Sequence, residues 1–194
     1  MKFAFYGGAR EVGRSCVCLD GKYLFDAGLK ISEEGSEYPL PFDLEGIQAV
    51  FLSHAHLDHS GALPLFYHRG LRGSVFCNPL TKDTTKILLK DSFHIELLEN
   101  REPEYKRWDI ADVMGSMVNI KYNKPQDLGG AKVTYLDAGH IPGSASVLLE
   151  YAGKRILYTG DINSSDTRLL EGLRYKAGDI DILICESTYR SEEH

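Results

Sequence analysis

Along the first third of the chain, apolar residues come in short runs broken by turn-forming residues. Phe3 to Tyr6 is apolar and runs into Gly7-Gly8. Ser15 to Asp20 and Lys22 to Asp26 flank Asp20-Gly21. Both turn positions tolerate positive φ, so the pair predicts a tight hairpin. A loop with Pro39 and Pro41 comes next, followed by Ile47 to Ser53. That almost unbroken apolar run is typical of a strand covered on both faces. Gly61 to Tyr67 predicts a helix and Gly73 to Cys77 a further strand.

From Thr81 to about Glu99 the spacing becomes helical, with Ile87, Leu88, Phe93, Ile95, Leu97 and Leu98 as the expected apolar face. Lys82, Lys86 and Lys90 follow one another at one-turn intervals, which reads as a solvated helix face. After Pro103 a second helix is expected over Glu104 to Met114, with Trp108 anchoring it to the core. Strands return over Val118 to Tyr122, Ala131 to Leu136, Ser144 to Tyr151, Lys154 to Thr159 and Ile180 to Cys185, and Gly153 turns a second hairpin. Strand-rich blocks on either side of a helical middle predict an α/β protein: an αββα sandwich of two sheets packed face to face, with helices outside. No repeat, low-complexity tract or linker divides residues 1–194, so one domain is expected.

Composition narrows the picture. With 194 residues and 43% hydrophobic content the chain can bury a sizeable core, and no apolar run approaches a membrane span. The N-terminus lacks the pattern of a signal peptide, so a cytoplasmic protein without a membrane partner is expected. The net charge of −6, from 22 Lys plus Arg against 28 Asp plus Glu, argues against nucleic-acid binding through a broad basic surface. It leaves open an enzyme that grips phosphate through metal ions. Cys16, Cys18, Cys77 and Cys185 form no CxxC pair and lie in apolar runs, where a thiol behaves as a small hydrophobe.

The chemistry concentrates in Ser53-His54-Ala55-His56-Leu57-Asp58-His59, between a buried strand and a helix. Three of the seven histidines fall in six consecutive positions, so chance clustering is a poor explanation. His54 and His56, two apart in extended backbone, point to one side. Asp58 and His59 follow where the chain turns into the helix. This arrangement suits two adjacent metals, and imidazole and carboxylate are ligands that zinc accepts. His140, in a Gly/Pro-rich loop after a strand, and Asp161, just past another strand, are candidate ligands in the same pattern. His68 and His94 have no such company and are expected to be structural or exposed.

The set Asp26, His54-x-His56-x-Asp58-His59, His140 and Asp161 resembles the motifs of the metallo-β-lactamase fold. Within that fold it is most similar to the β-CASP ribonucleases, which include the mRNA 3′-end cleavage factor and RNase J groups. Gly7-Gly8-Ala9-Arg10-Glu11-Val12-Gly13-Arg14-Ser15-Cys16 resembles their opening segment, and Glu186-Ser187-Thr188-Tyr189 the segment that closes their first nuclease half. The resemblance implies that His54, His56 and His140 hold one zinc, that Asp58 and His59 hold a second, and that Asp161 bridges both. Asp26 would support the ligands from behind, and Glu186 would orient a catalytic group. Asp58, Asp161 and Glu186 are thereby the residues expected to take part in catalysis.

The implied activity is hydrolysis of single-stranded RNA, endonucleolytic and also exonucleolytic, in RNA processing or decay. Water activated between the two metals would attack phosphorus in line. In the family a β-CASP domain follows the closing segment, and the chain then resumes to supply two late histidines. This sequence ends at His194, five residues after Tyr189. The second zinc site is therefore expected to be weak or incomplete, and a homodimer or a partner chain could complete it. Two alternatives stand beside the ribonuclease: a catalytically incomplete metal-binding scaffold, and a small-molecule hydrolase acting on a thioester, lactone or lactam.

Overall fold

The computed structural model describes residues 1–33 and 35–187. Thr188, Tyr189 and His194 lie outside the described residues. The chain divides after Asn119 into two compact units.

The first unit is built on a six-stranded mixed sheet. β1 (Phe3–Gly7), β2 (Cys16–Leu19) and β3 (Tyr23–Phe25) form an antiparallel meander. Parallel strands β6 (Ala49–Phe51), β7 (Ser74–Cys77) and β8 (Met117–Asn119) extend it in the order β1-β2-β3-β6-β7-β8. The predicted turn joins β2 to β3, with φ of 51° at Asp20 and 65° at Gly21. One segment expected as loop forms a small hairpin instead, β4 (Lys30–Ser32) with β5 (Gly35–Glu37).

Strand alternation sends two apolar sets to opposite faces. Val17, Phe25, Phe51 and Phe76 lie in register on one face, and ring centroids 5.6 Å apart for Phe25–Phe51 and 5.9 Å for Phe51–Phe76 carry an aromatic row across β3, β6 and β7. Cys18, Leu24, Val50 and Val75 occupy the other face and join the main core. Sheet residues buried on both sides explain why Ile47 to Ser53 reads as continuous apolar sequence.

The helices of this unit are α1 (Leu57–Ser60), α2 (Leu63–His68), α3 (Pro79–Leu98) and α4 (Arg107–Ser116). The expected helix over Gly61 to Tyr67 is thus α2, which begins at Leu63, and the short α1 precedes it. The N-terminus of α3 is capped by Asn78, whose side chain accepts from Leu80 N at 3.0 Å, with Pro79 in the first turn.

The expected apolar face of α3 is corrected by the structure. Its buried positions are Thr81, Thr85, Leu89, Ser92 and Glu96, spaced four, four, three and four residues apart, whereas Ile87 is 67% exposed and Ile95, Leu97 and Leu98 are exposed too. The helix packs against α1, α4 and β8 through small side chains that permit close approach. Glu96 is tolerated there because it accepts from the Ser36 hydroxyl at 2.6 Å. Lys86 and Lys90 are exposed, and Lys82 donates to Met117 O at 3.1 Å.

Trp108 is likewise no core anchor: it is 65% exposed. On α4 the buried residues are Asp109, Ile110 and Val113, and a position two before Ile110 lies about 200° around the helix, on the opposite side.

The second unit carries a five-stranded sheet in the order β13-β12-β11-β10-β9. β9 (Gln126–Asp127), β10 (Ala131–Asp137), β11 (Ala145–Tyr151) and β12 (Lys154–Tyr158) pair antiparallel, and β13 (Ile182–Ile184) joins β12 in parallel. Leu136, Leu148 and Leu157 pack with Tyr175, Ala177 and Ile180 on one face, while Val133, Tyr135, Val147, Leu149 and Ile156 are buried on the other.

Three cysteines behave as expected. Burial pushes the thiols of Cys16 and Cys18 up, and that of Cys77 up to about 12. Cys185 departs from the expectation, because it follows the end of β13 and is exposed. A disulfide reagent at neutral pH should therefore label Cys185 in the native chain, and the other three only after denaturation. The helix face is tested by urea unfolding. Leu89→Ala should cost about 2–5 kcal/mol and Ile87→Ala less than about 0.5 kcal/mol. The reverse ranking would reinstate the face read from periodicity.

Candidate metal centre

In the first unit the donors gather where β3 and β6 end and α1 begins. Asp26 follows β3 in the left-handed region, with φ of 59°, and is fully buried. Its Oδ1 accepts from Ser53 N at 2.7 Å, and its Oδ2 accepts from the Ser53 hydroxyl and from His59 Nδ1, both at 2.7 Å. A carboxylate acceptor at Nδ1 places the His59 proton there, so Nε2 carries the lone pair. His59 Nε2 stands 3.6 Å from Asp58 Oδ2.

His54 is fully buried, and its Nδ1 lies 3.0 Å from Ser53 Oγ. Its Nε2 and His56 Nδ1 approach to 3.1 Å. Two nitrogens on a zinc tetrahedron with bonds near 2.05 Å stand about 3.3 Å apart. The His54–His56 separation thus fits a pair of ligands on one ion.

The backbone that carries these ligands is clamped. Ser15 N donates to Asp58 O, Ala27 N to His59 O and Leu29 N to Leu57 O, each at 2.8 Å, and the Ser60 hydroxyl closes on Ala55 O at the same distance. Gly28 makes the clamp possible, because a Cβ there would lie 1.7 Å from Asp58 O. Any side chain would force the Asp58 carbonyl away.

In the second unit His140 and Asp161 come together, with His140 Nε2 3.6 Å from Asp161 Oδ2. The His140 loop is folded by Ser144, whose hydroxyl oxygen accepts from His140 N at 3.1 Å and Ile141 N at 3.2 Å, and by Asp137, whose Oδ1 accepts from Gly139 N at 3.0 Å. Gly139 has φ of 68°, and a Cβ there would lie 2.6 Å from Asn163 O. Asn163 N donates to Ala138 O at 3.0 Å, which ties the His140 loop to the segment after Asp161. Glu186 is half-buried beside that segment, its Oε1 3.5 Å from Ile162 N.

Imidazole nitrogens and carboxylate oxygens of His54, His56, Asp58 and His59 in one unit, and of His140 and Asp161 in the other, are of the kind that holds transition-metal ions. The remaining described histidines play ordinary parts. His68 Nδ1 meets Asp109 Oδ2 at 3.0 Å, and His94 is exposed. Reading from sequence missed two contributors. Gly28 is legible only as a glycine two residues after Asp26. Ser53 stands inside the histidine motif, but nothing local signals that its hydroxyl meets Asp26.

A mixed-sheet α/β chain with histidines and aspartates grouped at its strand ends has the make-up of a metallohydrolase. The sequence matches the β-lactamase superfamily domain over residues 22–194, and the chain belongs to that superfamily. It is 44% identical to "Probable RNase MJ4" of Methanocaldococcus jannaschii, over the whole of this chain and 47% of that protein. It is 36% identical to the transcription termination factor FttA of the same organism, over 97% of this chain and 31% of that one. It is 34% identical to the endoribonuclease YSH1 of Yarrowia lipolytica, over 99% and 24%. The chain thus spans about half the length, or less, of these curated relatives.

A crystal structure of an Enterococcus faecalis V583 protein of unknown function shares the fold, with a TM-score of 0.56 and 20% identity over 83% of this chain and 43% of that one. Among the described residues no helix is long and apolar enough to cross a membrane.

Replacing Asp26 by Asn turns one acceptor oxygen into a donor that faces donors, whichever way the amide lies. Asp26→Asn should weaken zinc binding about 10- to 100-fold in competition with a chromophoric chelator. Unchanged affinity would show that Asp26 does not support the ligands.

Proposed function

We propose that residues 1–194 form a single metallo-β-lactamase-like domain that hydrolyses RNA phosphodiester bonds. The observation that carries this reading is the set of imidazoles fixed by buried hydrogen bonds, with His54 Nε2 and His56 Nδ1 at the spacing of ligands on one ion. The relatives named as ribonucleases and endoribonuclease support RNA as the substrate class.

In this reading His54, His56 and His140 would hold one zinc ion, Asp58 and His59 would hold a second, and Asp161 would serve both. When bound, the ions supply Lewis-acid activation of water and neutralise charge on the non-bridging phosphate oxygens. The chain's own residues have these parts. Asp26 holds the His59 proton on Nδ1, away from the ligand nitrogen. Asp58 takes the proton of the attacking water at its carboxylate. Glu186, beside Ile162, would orient a protonating histidine of the kind the family supplies after its β-CASP domain. Substrate is single-stranded RNA in processing or decay, and the site of action is the cytoplasm.

A second reading follows from the chain's share of its relatives. The domain binds metal but cleaves only with groups supplied by further chain, by a second copy or by a partner.

The test is cleavage of end-labelled single-stranded RNA by the zinc-loaded chain, beside Asp161→Ala. Cleavage lost at least 100-fold in the variant, together with lowered metal content, supports the ribonuclease. Full activity in Asp161→Ala would remove the two-metal assignment. A folded, zinc-loaded chain that leaves RNA intact would favour the second reading, and turnover of a lactone or thioester with RNA untouched would overturn RNA as substrate.

A further inference from the structure

Ser53 occupies a position that neither the ligand set nor the support role of Asp26 explains. It is 1% exposed, and its side chain stands between a carboxylate and an imidazole, 2.7 Å from Asp26 Oδ2 and 3.0 Å from His54 Nδ1. A serine hydroxyl has one proton and two lone pairs. The carboxylate can only accept, so the hydroxyl proton points to Asp26. The oxygen then meets His54 Nδ1 as an acceptor, and a proton must reside on Nδ1. With Nδ1 protonated, a neutral His54 ring carries its lone pair on Nε2, the atom that faces His56 Nδ1 at 3.1 Å.

We propose that Ser53 is a positioning residue that relays the Asp26 carboxylate to His54 and fixes the tautomer in which His54 Nε2 can ligate. The same carboxylate oxygen meets His59 directly at 2.7 Å. One buried anion thus sets the proton on two imidazoles, one by contact and one through a hydroxyl. Where His54 and His59 serve different metal positions, that anion governs both, and Ser53 extends its reach to the first.

Backbone geometry leaves little alternative. The Ser53 amide is bound to Asp26 Oδ1 at 2.7 Å, so both polar groups of this residue face the same carboxylate. With the ring and the hydroxyl both buried, losing the hydroxyl strands the His54 Nδ1 proton, which costs more than one ordinary hydrogen bond.

The inference rests on the metal-binding reading in one of its two readouts only. The first is the tautomer of His54 in the metal-free chain, read from the nitrogen shifts and proton couplings of 15N-labelled imidazoles. The wild-type ring should be the Nδ1–H form, and Ser53→Ala should shift population to Nε2–H. The second is zinc affinity by chelator competition, with thermal unfolding as a check that the variant is folded. Ser53→Ala should lose about 10- to 100-fold at the tighter position.

A wild-type ring in the Nε2–H form would overturn the proposal, and so would a Ser53→Ala chain that keeps both the tautomer and the affinity. Should Ser53→Ala fail to fold, the wild-type spectrum alone decides. No step of this test reads RNA cleavage, so its failure is distinguishable from failure of the ribonuclease reading.

Discussion

The arrangement of the first unit depends on one buried carboxylate, that of Asp26. Asp26 is removed from water and held in a left-handed backbone conformation, each of which is unfavourable by itself. Three donors at 2.7 Å offset that cost, and they come from two places distant in sequence: Ser53 at the end of β6 and His59 in α1. The interaction therefore works only when β3 and β6 stand side by side in the observed register. The aromatic row Phe25–Phe51–Phe76 enforces that register, since a slip of one residue would turn Phe51 to the opposite face. Packing in the sheet and proton placement at the ligands are one constraint seen from two ends.

Local signals carried much of this. The Asp20-Gly21 turn, the covered strand β6, the His54–His56 pair and the hairpin at Gly153 each depend on neighbours within a few residues, and each is legible in the sequence. The histidine motif is also legible as a cluster of candidate metal ligands, because three imidazoles in six positions have little other reason to gather.

Other features are set by partners far along the chain, and periodicity does not report those. The buried face of α3 is made of Thr81, Thr85 and Ser92 because neighbouring elements come close, and a hydrophobicity pattern ranks those residues as surface. Trp108 looks like core by its chemistry and is placed outside by the helical angle to Ile110. Gly28 owes its identity to the carbonyl of Asp58, thirty residues on, and Ser53 owes its role to a carboxylate twenty-seven residues back. The small hairpin β4–β5 has too few residues to show an alternation at all.

β3 connects two unlike ends. At one end stands Asp26, with every polar atom of its side chain committed. At the other, five residues before Asp26, stands Gly21 of the Asp20-Gly21 turn, where the space is open but the φ of 65° favours glycine. A dye attached at exposed Lys22, where a side chain already stands, would sit just before the strand that leads to Asp26. That end of the strand is thus a natural place from which to watch the buried carboxylate while leaving the candidate ligands undisturbed.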